Sequence, residues 1–356
     1  MDTPRLARPR RTRGTSLVEV MVGVTIALLV MLAIYRAFGA SEGLRHDTQG
    51  TGDAQQTGLF VLQRLGFDIA NAGNGIAASA KALASCPGTA GITDTLRPVA
   101  VLITDGGSHD RPDSVVIRYG VANGLATAVP FAATAPAGAN FVVQAPEGIA
   151  PGDYVIATSR TGACAATIVT SIDSPAPGLL EIAHAALATD FPDTSMLLNL
   201  GPVNRAQTIR YDVVGGVLRT TDLLNKDAPN PLASNIVNLK LQYGIDSDGD
   251  GRLDTWVAAT DAGAVGSWTP ATLLAAPVET LARVKAIRVG VIVRSEYFDR
   301  SNKTTFAWTM FECPAIDKST CPGRMTGTIA AAADGSWRYR LYETTIPLRN
   351  SPAGRV

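Results

Sequence analysis

A chain of 356 residues is long enough for one large domain or two modest ones with buried cores, so core size sets no limit. Apolar residues make up 46% and charged residues only 17%, with 34 Gly and 21 Pro scattered throughout, which disfavours a helical bundle and suits loop-rich β structure. Formal charge is zero, but Arg5, Arg8, Arg10, Arg11 and Arg13 against Asp2 make the first fourteen residues +4, which leaves the rest at −4; a faintly acidic body without a basic stripe excludes nucleic acid as the main partner.

The first element in chain order is the strongest. From Thr15 to Tyr35 run twenty-one residues with one charge, Glu19, bounded by Arg13 and Arg36. At 1.5 Å per residue such a helix spans about 30 Å, one hydrocarbon core. The arginines ahead of it predict a cytoplasmic amino terminus and an exported remainder, an inner-membrane single pass with a periplasmic domain. A secretory signal peptide has its small-residue cleavage site after the apolar run, whereas here Gly14 precedes it. The Arg10–Arg11 pair also fits a twin-arginine signal, which the long apolar stretch disfavours.

Glu19 costs a few kcal/mol inside a hydrophobic helix unless something compensates it. A cut after Gly14 would create an α-amino group at Thr15, one helical turn from Glu19, and the equivalent amine of a neighbouring subunit is a natural partner. Gly23 and Ala27 permit close helix approach.

The helix is expected to continue as an amphipathic stretch over residues 37–75, with Leu59, Leu62, Gly66, Ile69 and Gly73 at spacings of three and four forming the face that lies on the globular domain. Gly39, Gly43, Gly50 and Gly52 weaken the connection, so a loop followed by a separate helix is the alternative. Gly73-Asn74-Gly75 fits the start of a dinucleotide fingerprint but follows a helix where that site needs a strand; it is a helix stop.

From residue 76 onward the pattern changes to short β-type runs separated by Gly, Pro, Asn and Asp. Strands are expected at 99–104, 114–119, 154–158, 167–172, 209–214, 217–221, 237–245, 286–294 and 339–346, and Gly215-Gly216 reads as a two-residue hairpin turn. Pro-rich stretches at 130–151 and 175–177 read as loops or the boundary of an inserted subdomain. The expected fold class is therefore α+β, a long N-terminal helix packed on a mainly antiparallel sheet, with residues 76–356 as the periplasmic domain.

Asp246, Asp248, Asp250 and Asp254 occupy positions one, three, five and nine of a loop with Gly251 at six. Calcium needs six to eight hard oxygens, and here the backbone carbonyl of Arg252 would add to the carboxylates. Val257 stands where an EF-hand has its bidentate Glu, so the expectation is a short or water-completed Ca2+ site, against a solvated acidic turn. Cys86, Cys164, Cys313 and Cys321 contain no C-x-x-C, which favours two disulfides and an oxidising compartment. Cys313 and Cys321 share a Pro-flanked loop and are paired, leaving Cys86 to Cys164; the alternative pairings stay open. His46, His109 and His184 are dispersed and expected at the surface, and no H-E-x-x-H, G-x-S-x-G or P-loop is present, so no enzyme and no organic cofactor is expected.

The sequence RTRG followed by TSLVEVMVGVTIALL resembles the class III prepilin signature, in which an aspartyl prepilin peptidase cleaves after Gly and the fifth mature residue is Glu. Gly14, Thr15 and Glu19 match those positions, although the family usually has Phe where this chain has Thr15. GLFVLQRLGFDIANAG (58–73), NIVNLKLQYGIDSDGDGRLDTW (235–256), VKAIRVGVIVRSE (284–296) and WRYRLYETTIPLRN (337–350) together resemble the PilW family of type IV pilus minor pilins. The resemblance implies a 1–14 leader, a 15–36 transmembrane and filament-core helix, N-terminal methylation, and partners among minor and major pilins, prepilin peptidase, the inner membrane and a tip adhesin. It implies a role in initiating the pilus and capping its tip. A minor pseudopilin of type II secretion and a membrane-anchored calcium-dependent adhesion protein are the competing expectations.

Overall fold

The computed structural model describes residues 14, 16–84, 86, 96–121, 128–144, 148–260, 266–300, 302–313 and 321–350. The chain divides into two compact units, residues 1–52 and 53–356. Helix α1 is continuous from Leu17 to Asn71, and Gly39, Gly43, Gly50 and Gly52 do not interrupt it. In the first unit its stretch Leu17–Phe38 is long and apolar enough to cross a membrane, and every one of those residues is exposed.

Within the second unit, α1 ends at the expected stop: Gly73 and Gly75 take φ of +82° and +73°, conformations that side chains resist. The Gly73 amide then donates to the Arg118 carbonyl at 2.8 Å. A short 3-10 turn at Ala77–Ser79 and helix α2, Ala80–Leu83, lead into the strands.

Five strands form one sheet in the order β1 (Val101–Thr104), β2 (Ser114–Tyr119), β9 (Gln207–Val214), β10 (Val217–Asp222), β11 (Asn230–Ala233). Between β2 and β9 a six-stranded sheet is inserted: β3 (Val129–Pro130), β8 (Met196–Pro202), β5 (Asp153–Thr158), β6 (Cys164–Ala176), β7 (Leu179–His184), β4 (Phe141–Val143), in spatial order. The third sheet is β13 (Thr255–Val257), β12 (Ile236–Ile245), β14 (Val284–Asp299), β17 (Ser336–Pro347), with α3 (Pro270–Ala275) and α4 (Val278–Leu281) between β13 and β14. A ribbon of β15 (Phe306–Met310) and β16 (Met325–Ile329) completes the described elements. All described pairings are antiparallel, and the α+β architecture stands as expected.

The inserted subdomain is real, but its Pro-rich borders are not all loop. Pro175 lies inside β6, and β4 forms within 130–151. Its core is separate, built on Phe131, Phe141 and Phe191, with ring centroids 5.0 to 6.0 Å apart. The Gly215-Gly216 hairpin joins β9 to β10 with φ of +60° and +79° and Val214 facing Val217.

The helix face overlaps the expected one at Ile69 and Gly73, both buried, and at Leu62, partly buried, but it is rotated from it: Leu59 is 54% exposed, whereas Ala54, Val61, Leu65 and Ala72 are buried with Ile117, Tyr211, Leu241 and Val289. Four apolar residues in succession, Leu59 to Leu62, left the rotation undetermined by period alone. What fixes it is Asp68, fully buried: it accepts the Tyr119 hydroxyl at 2.8 Å and the Tyr211 hydroxyl, and Arg64 reaches it at 3.3 Å. Burial, then the Asp68 charge, pushes both phenols well above their ordinary range, so they stay protonated donors.

Cys86 is bonded to Cys164 and Cys313 to Cys321, the pairings favoured above. A second buried charge, Lys240 on β12, meets Asp113 at 2.7 Å, and both side chains are about 1% exposed. Asp113 also accepts the Gly106 and Leu241 amides.

Candidate functional site

Two places carry the expected chemistry. The first is the start of α1. Gly14 is exposed, while Thr15 and the arginine-rich residues before it lie outside the described residues. The helix opens with the Glu19 and Val20 amides on the Ser16 carbonyl, at 3.0 and 3.2 Å, which places Glu19 in the first turn. A carboxylate there benefits from the helix dipole. Among the described residues Glu19 has no ion-pair partner, and its side chain is exposed among apolar neighbours. A Cβ added at Gly23 would meet nothing within 4 Å, so the backbone there is open to close approach from outside.

The second place is the turn between β12 and β13. Asp246 directly follows β12 and is 2% exposed; Asp248, Asp250, Arg252 and Asp254 are exposed. Carboxylate oxygens of Asp246, Asp248 and Asp254 lie within 4.8 Å of one another, and Asp250 is not in that group. The loop is tied by its own amides. Gly249 and Gly251 donate to Asp246 at 2.6 and 2.8 Å, Arg252 donates to Asp250 at 2.7 Å, and Ser247 donates to Asp254 through both amide and hydroxyl at 2.7 Å.

Burial alone would raise the Asp246 carboxyl, but the two glycine amides and the Lys285 ammonium at 3.4 Å outweigh it and hold it below the usual range. The Ser247 hydroxyl and amide do the same for Asp254. Three carboxylates in one small space, Asp246 and Asp254 among them held below the usual range, suit a hard cation, and Lys285 already supplies part of the compensating charge.

Residues 217–350, from β10 to β17, match the family model described as Type IV Pilus-assembly protein W. Over that stretch, less than half of the chain, the protein is similar to the PilW family. No curated protein and no solved structure matches it. That family's description is of type IV pilus assembly. The matched stretch holds the acidic turn and the third sheet, whereas α1 lies outside it.

Elsewhere in the chain, His109 is exposed, but His184 is half-buried with its ring 3.9 Å from that of Phe141, contrary to the surface position expected for it. It ends β7, where it covers the phenylalanine core. Sequence reasoning also passed over Arg118. Its one visible signal is a charge within the apolar run Val115 to Tyr119 of β2.

Proposed function

We propose that this chain is a minor pilin, cleaved by prepilin peptidase after Gly14 and assembled with other minor pilins into a priming complex that becomes the pilus tip. The observation that carries the reading is the Leu17–Phe38 stretch, wholly exposed, with Glu19 in its first turn and Arg36 near its end as its two charges. In a membrane that surface is solvated by lipid, and after extraction it needs other helices to cover it. Glu19 then sets the axial register, because a single carboxylate in an apolar fibre core is stable only opposite a positive charge, and the Thr15 amine of an adjacent subunit supplies one. The orientation follows the arginines: leader in the cytoplasm, residues 76–356 in the periplasm, then outside the cell with the pilus. The family match favours a pilus over a secretion pseudopilus.

Within this reading the acidic turn binds Ca2+. Asp246, Asp248 and Asp254 would hold it, with remaining oxygens from backbone and water; the ion would stiffen the turn that joins β12 to β13. The assembly role is tested by capturing tagged full-length chain from an inner-membrane extract and identifying co-purifying small pilins by mass spectrometry. Wild type should retain several such partners and Glu19→Ala should lose them. An unchanged set of partners for Glu19→Ala, or none for wild type, contradicts the reading.

A further inference from the structure

A cavity of about 400 Å³ opens where the first sheet meets the inserted one. Its polar lining includes Arg118 from β2, Tyr154 from β5, Gln207 from β9 and Lys226 from the turn after β10; Leu200 and Leu224 are among its apolar walls. The Cys86–Cys164 disulfide braces one side, since Cys164 is itself in the lining.

Arg118 is the unusual member. It is 7% exposed, yet among the described residues no carboxylate pairs with it. One guanidinium nitrogen donates to the Arg97 carbonyl at 2.9 Å, a neutral acceptor, and Arg118 lines the cavity. Taking a guanidinium out of water without a counter-charge is costly, and folds keep such groups where a ligand completes them. Burial lowers the Arg118 pKa, and the Tyr154 phenol counters it only in part.

Lys226 adds a second, independent sign. It takes φ of +57°, a left-handed conformation that non-glycine residues avoid, and this strained backbone sets an exposed ammonium at the cavity rim. A buried planar fork, a cation at the mouth and leucine walls together describe a receptor for an anion with a carbon body.

We propose that this cavity binds a small organic carboxylate, with Arg118 gripping the carboxylate through its fork and Lys226 holding it at the mouth. The site is independent of the assembly role proposed above, since none of its residues belongs to α1.

The test uses full-length protein in detergent micelles and saturation-transfer NMR with acetate, succinate and D-glucuronate as probes, acetamide and D-glucose as their neutral counterparts, and inorganic phosphate. At least one carboxylate should bind at millimolar concentration while both neutral compounds do not. Arg118→Gln and the charge-conserving Arg118→Lys should each weaken that binding by about tenfold or more, because neither side chain presents the fork. Lys226→Gln, on an exposed turn where folding is not at stake, should weaken it severalfold. Thermal unfolding of Arg118→Gln without ligand should match or exceed wild type, since the variant removes a buried unpaired charge. The proposal is overturned if none of the three carboxylates binds, if neutral counterparts bind equally, if phosphate alone binds, or if Lys226→Gln and Arg118→Lys leave binding unchanged.

Discussion

Two glycines of α1 should respond to alanine in opposite directions. A Cβ built at Gly66 meets nothing within 4 Å, whereas one at Gly58 lies 2.5 Å from Cε2 and 3.0 Å from Cγ of Tyr342 on β17. Glycine inside a helix costs about 0.8–1.0 kcal/mol relative to alanine, so Gly66→Ala should stabilise the domain by about that amount. The same gain is available at Gly58, but overpacking of this kind costs about 1–3 kcal/mol, and the Tyr342 ring is held beside the core by α1 itself. The net expectation for Gly58→Ala is a loss of up to about 2 kcal/mol. At about 2–4 °C per kcal/mol for a domain of this size, the two variants should separate by several degrees in melting temperature. Urea titration of full-length protein in micelles, followed by circular dichroism, reads both. In a Tyr342→Ala background the loss at Gly58 should turn into a gain, because the obstructing ring is gone. Equal stabilisation by the two alanines in the wild-type background would refute the packing of α1 on β17.

Three further outcomes follow from the same structure. Asp113→Ala leaves the Lys240 ammonium and two amides buried without partners and should cost about 3–5 kcal/mol, measured as a fall in the urea midpoint; a change under 1 kcal/mol, about fivefold in the folding constant, would contradict the buried pair. The Cys86–Cys164 disulfide spans 78 residues and Cys313–Cys321 only 8, so chain-entropy estimates of about 4.5 and about 2.6 kcal/mol make the first the more destabilising to replace by serine pairs, and the reverse order would contradict the estimate. Because Asp246 and Asp254 are held below the usual carboxylate range, their contribution is complete above the unfolded value of about pH 4 and fades as pH falls through the folded values; Asp246→Asn should flatten that acid limb. At neutral pH calcium should raise the melting temperature and Asp248→Asn should abolish the increment; a wild-type midpoint unmoved by calcium or chelator removes the metal from the account.

The strands legible in the sequence are those rich in Val, Ile, Thr and Tyr; eight of the nine expected runs lie in an observed strand, β2 to the residue, and the ninth, 99–104, starts two residues before β1. Several of those missed lack that signal, and others that carry it, such as β4 (FVV) and β13 (TWV), are too short to stand out. β8 reads MLLNLGP and β7 LLEIAH, leucine-rich runs that favour no period, and β16 carries Gly327 at its centre. The distal end of β6, Asp173 to Ala176, is largely exposed and has no apolar face to betray it; only pairing with β7 makes it a strand. The rotation of α1 was hidden for a related reason, since a buried aspartate reads as a solvent-side residue until Tyr119 and Tyr211 are placed against it.

The candidate sites divide along the same line. Glu19 stands out because one charge in an apolar run is conspicuous, and the aspartate spacing of the β12–β13 turn is local, although only folding sorts Asp246, Asp248 and Asp254 from Asp250. Arg118 and Lys226 are 108 positions apart in a chain whose inserted sheet separates them, so no local pattern joins them. The disulfide partners Cys86 and Cys164 were reachable only by pairing the nearer two first.

The central claim is that the arginine-rich leader is removed so that a new amine faces a lone carboxylate. Intact-mass spectrometry of the chain purified from cells with an active prepilin peptidase measures it directly. The expected species begins at Thr15, with or without a methyl group, and Gly14→Ala should leave the leader in place. A wild-type chain of full mass, with Arg5 to Arg13 still attached, would contradict the account.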